Sequence, residues 1–256
     1  MKQDFDMLIY KFNNNIKIKP LSDLHIGSQG FMSKEWLQFK EEILQDENTY
    51  IVIAGDMMDN ALKSSVSNVY EQTMRPADQK KWLSNELKDI KDRILCIVSG
   101  NHERRSEKDS DDNPLYDVCC KLDIEDRYRS NMAFIKIQLG ERNSKRQTYV
   151  LGITHGSGGG STGNAINRNE KFAYAIDGLD LLITGHTHKP ANSFPAKILV
   201  DSKNNKVSIK PFKTIIASSW QAYAGYPLRE MMNPSAFVKQ TITLHLNEKI
   251  IETNVI

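Results

Sequence analysis

Long apolar runs are missing from this chain of 256 residues. No stretch approaches ~18 consecutive apolar residues, so the sequence offers no transmembrane helix. Cysteine is scarce, and Cys96, Cys119 and Cys120 have neither metal-site nor disulfide spacing. An odd count with a vicinal pair fits a reducing compartment. The opening residues Met1-Lys-Gln-Asp-Phe-Asp6 carry acids where a secretory signal would carry bases and an apolar core. A cytoplasmic location without membrane attachment is therefore expected. An excess of one charge is lacking too: 34 Lys and Arg face 32 Asp and Glu, for a formal net charge of +2. That balance is too mild for a dedicated nucleic-acid binder, and the basic pairs Lys80-Lys81 and Arg104-Arg105 read in the first instance as solvated faces. Internal repeats and low-complexity linkers are absent, so residues 1–256 are expected to form a single domain, long enough for a layered core.

What the chain does contain is five short clusters of metal-ligand residues, each closing a strand-like apolar run. They are Asp23-Leu24-His25, Gly55-Asp56-Met57-Met58-Asp59, Gly100-Asn101-His102-Glu103, Thr154-His155-Gly156 and Gly185-His186-Thr187-His188. Five of the six histidines fall in them; the sixth, His245, lies in the alternating run Thr241–Leu246 and reads as a surface strand residue. Ligand sites in α/β sheets form outside the carboxyl ends of the strands. Five strands bringing Asp, Asn and His to one edge describe a single site.

The donors are carboxylate, amide oxygen and imidazole, with no thiolate, a set suited to Mn, Fe or Zn. They are too many for one catalytic ion, which typically keeps three protein ligands and an open position. Two ions sharing a carboxylate use them well. Paired ions clamp the attacking and leaving oxygens of an in-line displacement at phosphorus and acidify a bound water. The residues thus point to two-metal phosphoester hydrolysis, in which a metal-bound hydroxide attacks.

The ordered set D-x-H, G-D-x-x-D, G-N-H-E, H and G-H-x-H resembles the calcineurin-like metallophosphoesterase superfamily. The resemblance implies an α/β fold of two packed mixed β-sheets flanked by helices, a four-layer αββα sandwich. It further implies that Asp23, His25, Asp56 and His188 hold one metal and that Asp56, Asn101, His155 and His186 hold the other, with Asp56 bridging. His102 then matches a histidine that contacts the substrate, and Asp59 a carboxylate that orients it, which makes His102 and Asp59 the catalytic candidates. Two divalent transition-metal ions are the implied cofactor, Mn foremost, with Fe, Zn or Ni also suited.

Along the chain, Ser33 to Gln45 reads as a capped amphipathic helix with Trp36, Leu37, Phe39, Ile43 and Leu44 on its apolar face. Residues 67–90 read as a helical region broken near Pro76, and Asn113-Pro114 starts a helix through Leu122. Ala133–Leu139 and Arg146–Thr154 flank a polar turn as a hairpin would. One more helix is expected over about residues 165–176. Residues 194–256 are β-rich, with Asn204-Asn205 turning between Ile198–Asp201 and Lys206–Ile209.

Two segments outside the clusters bear on substrate. Gly156-Ser-Gly-Gly-Gly-Ser-Thr-Gly163 reads as a flexible loop; a phosphate-approaching or lid role is the alternative, and the loop lacks the Lys of a nucleotide-binding P-loop. Ser219 to Arg229 carries Trp220 and Tyr223, which either stack on bases or pack beneath the loop. Phosphoprotein phosphatases continue G-D-x-x-D with an Arg that grips a phosphate dianion; here that position is Asn60, and the first cluster is Asp-Leu-His without a following Gly. The missing Arg weakens a monoesterase reading, although Arg104 and Arg105 are available as substrate-binding substitutes. The leading expectation is a phosphodiesterase acting on nucleic acid or a nucleotide. A phosphomonoesterase is the alternative. A non-catalytic scaffold is the remote one, since scaffolds lose ligands and none is missing here.

Overall fold

In the computed structural model, the structure describes residues 5–65, 68–141, 146–159, 161–223, 226–229, 231 and 233–256. The first half alternates strand and helix. β1 (Leu8–Phe12) and β2 (Ile16–Leu21) lead to α1 (Ser33–Gln45), then β3 (Thr49–Ile53), α2 (Pro76–Lys88) and β4 (Ile94–Val98). After these come α3 (Glu103–Ser110), α4 (Pro114–Leu122) and the short β5 (Tyr128–Arg129). The second half is dominated by strands: β6 (Met132–Leu139), β7 (Gln147–Thr154), α5 (Thr162–Tyr174), β8 (Leu181–Thr184) and β9 (Ala191–Ser193). β10 (Ala196–Asp201), β11 (Lys206–Pro211), β12 (Lys213–Ile216), α6 (Tyr226–Arg229), β13 (Gln240–Leu244) and β14 (Ile251–Val255) complete it.

The strands form two six-stranded mixed sheets and a separate two-stranded ribbon, β10–β11. In the first sheet the order is β14-β13-β2-β3-β4-β5, with β2 to β5 parallel and β13 and β14 antiparallel. The second runs β1-β6-β7-β8-β12-β9, with β7, β8 and β12 parallel to one another. Branched aliphatics on alternate strand positions bury the space between them: Ile16, Ile18, Val52 and Val98 from one sheet meet Ile135, Ile137, Leu151, Ile153 and Ile183 from the other. On the outer face of the first sheet, Leu21, Ile51, Ile53 and Ile97 pack against Trp36 and Phe39 of α1, Leu83 and Leu87 of α2, and Val118 of α4. Ala173 of α5 covers the second sheet through Leu182 and Phe212. The layers run helix, sheet, sheet, helix, as the resemblance implied.

Local readings fared unevenly. α1 has the expected bounds, but no side chain caps it, and of its five apolar residues Leu37 and Leu44 are exposed. The stretch before Pro76 is not α-helical. Proline disfavours helical geometry in the residue before it, so Arg75 is extended and Pro76 opens α2. Ahead of that lies a 3₁₀ turn at Val69–Glu71, while Ser67 lies outside the described residues. The β6–β7 hairpin is present, though residues 142–145 of its turn are outside the described set. α5 begins earlier than expected, because Ser161 Oγ accepts the Asn164 N–H and so absorbs Thr162 and Gly163 into the first turn. Helix α3 had no apolar periodicity to announce it. Among the described residues no helix is long and apolar enough to cross a membrane.

Candidate metal centre

Each candidate ligand lies just past a strand end. Three strands of the first sheet (β2, β3, β4) and two of the second (β7, β8) deliver them, so the site sits where one end of both sheets meets. Backbone hydrogen bonds lace the loops beyond the strands: Asp23 N donates to Gly55 O at 3.0 Å, His25 N to Asp56 O at 3.1 Å and Gly185 N to His155 O at 3.0 Å. Two glycines are required by close approach. A Cβ on Gly100 would lie 2.1 Å from Asp56 Oδ1, and one on Gly185 would lie 1.9 Å from Ser22 Oγ. The backbone of Asp23, His25, Asp56, His186 and His188 is left-handed, with φ between 50° and 69°. These turns swing the side chains inward, at a conformation Asp, Asn and His adopt more readily than most residues.

The two aspartates share one design. Asp23 Oδ2 accepts from Ser22 Oγ at 2.6 Å and from His186 N at 2.9 Å. Its Oδ1 is fully buried without a hydrogen-bond donor and lies 3.1 Å from His188 Nε2 and 3.8 Å from His25 Nε2. Asp56 Oδ1 accepts from His102 N at 2.8 Å, which leaves Oδ2 facing His155 Nε2 at 3.1 Å, His102 Nε2 at 3.8 Å and His25 Nε2 at 4.0 Å. One oxygen of each carboxylate is thus tied to the protein and the other turned to the imidazoles.

Around those oxygens gather two donor sets. Asp23, His25 and His188 form one; Asp56, His155 and His186 form the other. Asn101 Oδ1 joins the second, 2.9 Å from His155 Nε2 and 2.7 Å from His186 Nδ1. His155 Nδ1 donates to the Ala54 carbonyl at 2.7 Å, so the ring presents Nε2 to the site. A buried, donorless carboxylate oxygen among lone-pair-bearing ring nitrogens is what a divalent cation requires of its ligands, and the oxygen and nitrogen donors fit such an ion. The arrangement is that of a divalent metal centre. His102 lies in ligand reach as well, in a third group with His25 and Asp56. Its Nδ1 is 2.8 Å from the Asp59 carbonyl and 3.2 Å from Asp59 Oδ1, and its Nε2 faces Arg105 Nη2 at 2.9 Å.

Carboxylates and imidazoles shift one another's protonation within the cluster. Burial alone would raise the Asp23 pKa, but His188, His25 and His155 hold it well below the usual carboxylate range. His102 and His155 do the same for Asp56, and His102 and His25 for Asp59, again against burial. Burial disfavours a charged His25, yet the nearby carboxylates of Asp23, Asp59 and Asp56 raise its pKa to about 10. His155 rises to about 9 against burial because it faces Asp56. His186, half-buried beside His155, is lowered by that partial burial and by the neighbouring His155.

Of the residues expected to touch substrate, Arg105 reaches the site, donating also to Asp59 O at 3.0 Å. Arg104 instead donates to the Ser130 carbonyl at 2.9 Å, which ties it to the β5–β6 connection. Trp220 is a correction: it is 3 % exposed, its ring edge-on to Phe39 and Phe237 at 5.0 Å and 4.8 Å between centroids, so no base can stack on it. The backbone around Trp220 holds down the first cluster, with its N–H donating to Asp23 O at 3.0 Å. Tyr223 is partly exposed. Of the glycine loop, Gly160 lies outside the described residues.

Sequence reasoning quoted Glu103 within a motif but gave it no work. Its buried carboxylate accepts three backbone N–H groups: Asp56 at 3.0 Å, Gly100 at 2.9 Å and Met58 at 3.1 Å. Burial and the Asp56 carboxylate raise its pKa, and the Met58 and Gly100 N–H groups pull the other way. Asn60, where a phosphate-gripping Arg would stand in the phosphoprotein phosphatases, is buried and donates to His102 O and Ser106 Oγ, both at 2.9 Å.

The chain matches the family model described as calcineurin-like phosphoesterase over residues 16–190. It is 35% identical over 98 residues to the DNA polymerase II small subunit of Archaeoglobus fulgidus, an alignment covering 32% of this chain and 20% of that protein. The chain therefore spans about a fifth of the length of that curated relative. Among solved structures it is similar to GAP50, the anchor in the inner membrane complex of Plasmodium, at 13% identity and TM-score 0.44, covering 95% of this chain and 85% of that one. A hypothetical protein from Thermus thermophilus aligns at 10% identity and TM-score 0.42, covering 94% of this chain and 99% of that one.

Proposed function

The chain belongs to the calcineurin-like phosphoesterase family, and from that premise we propose that this metal-dependent phosphoesterase hydrolyses phosphodiesters of nucleic acid or nucleotides with two divalent ions. The observation carrying the binuclear reading is Asp56 Oδ2, which lies 4.0 Å from His25 Nε2 of the first donor set and 3.1 Å from His155 Nε2 of the second. In this proposal Asp23, His25, Asp56 and His188 hold one ion, and Asp56, Asn101, His155 and His186 the other. Mn is favoured, and Fe, Zn and Ni suit the same donors. When bound, the ions supply Lewis-acid charge to the phosphoryl oxygens and acidify the attacking water.

The chain's own residues do the rest. Asp59 holds Nδ1 of His102 as a donor, so Nε2 accepts from Arg105 and would turn to the leaving oxygen once substrate draws that guanidinium away. Arg105, bonded to that Nε2 at 2.9 Å, is the guanidinium placed to take up a substrate phosphate oxygen. Two facts support a diester. Asn60 is turned into the protein, so no cation stands at that position to neutralise a dianion, and the curated relative is a subunit of a DNA polymerase. Free Cys96, Cys119 and Cys120 support a cytoplasmic location, and the contiguous inter-sheet core supports a single domain over residues 1–256.

Bis-p-nitrophenyl phosphate against p-nitrophenyl phosphate, with Mn, Ni, Zn and Mg in turn, tests the reading. The diester should be the better substrate with Mn. A preference for the monoester under every ion would replace the proposal with a phosphatase, and Arg105 would then be the clamp.

A further inference from the structure

Asp59 does not belong to either donor set, yet its carboxylate touches two of the imidazoles. Oδ1 lies 3.3 Å from His25 Nδ1 and 3.2 Å from His102 Nδ1. A single oxygen therefore stands behind a candidate metal ligand and behind the histidine assigned to the leaving oxygen. Which oxygen stands there depends on rotation of the carboxylate, and that rotation is stopped from farther along the same β3–α2 connection. Gln72 Nε2 donates to Asp59 Oδ2 at 2.6 Å.

Gln72 is itself braced. Its Oε1 accepts from Gln79 Nε2 at 3.1 Å, and the same Gln79 amide donates to the Met74 carbonyl at 2.9 Å. Gln79 Oε1 accepts the Asn60 N–H at 2.9 Å. Gln79, in the first turn of α2 and fully buried, thus holds both the peptide that follows Asp59 and the amide that grips its side chain. The first cluster leaves room for this amide: a Cβ on Gly27, two residues after His25, would lie 2.1 Å from Gln79 Nε2.

A ligand imidazole that donates its far N–H to a fixed carboxylate has its tautomer and aim set, and losing such support typically costs about 10–100-fold in metal affinity or activity. We propose that Gln72, braced by Gln79, is a positioning residue for the metal centre: by locking Asp59 it aims His25 and His102 together, while touching neither ion nor substrate. This rests on the metal-dependent reading above. The rival role for Gln72 is to tie the 68–75 segment to the body of the protein.

The test uses the full chain with Gln72→Met, which keeps length and volume but removes the donor, and Gln72→Glu, which keeps shape and sets a second carboxylate against Asp59. Gln72 is only half-buried, so both variants should fold. Zinc or Mn titrated into chelator-stripped protein should bind about 10–100-fold more weakly. Long-range ¹H–¹⁵N spectra of the zinc-loaded histidine rings should show altered His25 and His102 Nδ1 signals. The urea midpoint in chelator should stay at the wild-type value. Wild-type affinity and ring signals in Gln72→Met would overturn the proposal, as would a loss of affinity accompanied by an equal loss of chelator-state stability. Failure of the wild type itself to bind a divalent ion would instead remove the metal-centre reading on which the proposal stands.

Discussion

Replacing Glu103 by Gln should cost far more than an isosteric change of one atom normally does. In the wild type, Oε2 takes the N–H groups of Asp56 and Gly100 and Oε1 takes that of Met58. The best amide orientation keeps its oxygen on the first two and turns its NH₂ toward the third. One buried donor is then left unsatisfied, at about 1–3 kcal/mol, and two charge-assisted bonds become neutral, at about 1 kcal/mol each. Relief of the repulsion between Glu103 and Asp56 offsets part of this. The expected loss is about 2–4 kcal/mol, a large share of the roughly 5–15 kcal/mol that holds a domain together. Urea unfolding of chelator-treated protein reads it, with a slope of about 1–3 kcal/mol per molar converting midpoint to free energy. The exposed Glu107→Gln on the same helix is the control and should stay within about 0.5 kcal/mol. Glu103→Gln should also bind metal more weakly, because the Asp56 peptide and the Gly100 turn lose a common anchor. A Glu103→Gln midpoint matching that of Glu107→Gln would show that the three N–H groups are satisfied some other way, and the reasoning would fail.

Other outcomes follow from the same geometry. Active protein should carry two divalent ions, lose activity with chelator and recover it with Mn; metal analysis showing one ion at full activity would end the binuclear proposal. Asp56→Asn should lose more metal than any other single ligand change, so a variant retaining both ions while His188→Ala loses both would remove Asp56 as the bridge. His102→Ala should keep its metal while kcat falls about 10²–10⁴-fold, with a smaller loss for p-nitrophenol esters than for poor leaving groups; equal losses would favour charge stabilisation over proton donation. Trp220→Ala should destabilise by about 3–5 kcal/mol as a buried aromatic, whereas Tyr223→Ala should leave stability nearly unchanged, and calorimetry separates the two.

The metal-bearing loops were legible because Asp, Asn and His at the ends of apolar runs carry their chemistry in their residue types. The two-sheet core was legible for the same kind of reason: alternation such as Ala133–Leu139 betrays a strand whatever its partners. What escaped was identity without a unique meaning. Glu103 and Gln79 are ordinary surface types, and only the approach of Gly100 and Asn60 turns them into buried acceptors. Gln72 and Asp59 meet across a turn whose shape no periodicity announces. Trp220 shows the reverse error, since an aromatic in a polar segment looks available until Phe39 and Phe237 close over it. Leu37 and Leu44 likewise extend the apolar stripe of α1 beyond the width that the sheet covers.

The left-handed backbone at Asp23, His25, Asp56, His186 and His188 bears on how the centre endures use. Each such residue holds about 1–2 kcal/mol of unfavourable conformation, borne in part by the backbone hydrogen bonds that lace the strand ends together. Sites that exist only when occupied, such as those of zinc fingers, unfold on chelation. This one should instead tolerate repeated stripping and reloading, returning to full occupancy cycle after cycle with its far-ultraviolet circular dichroism unchanged throughout.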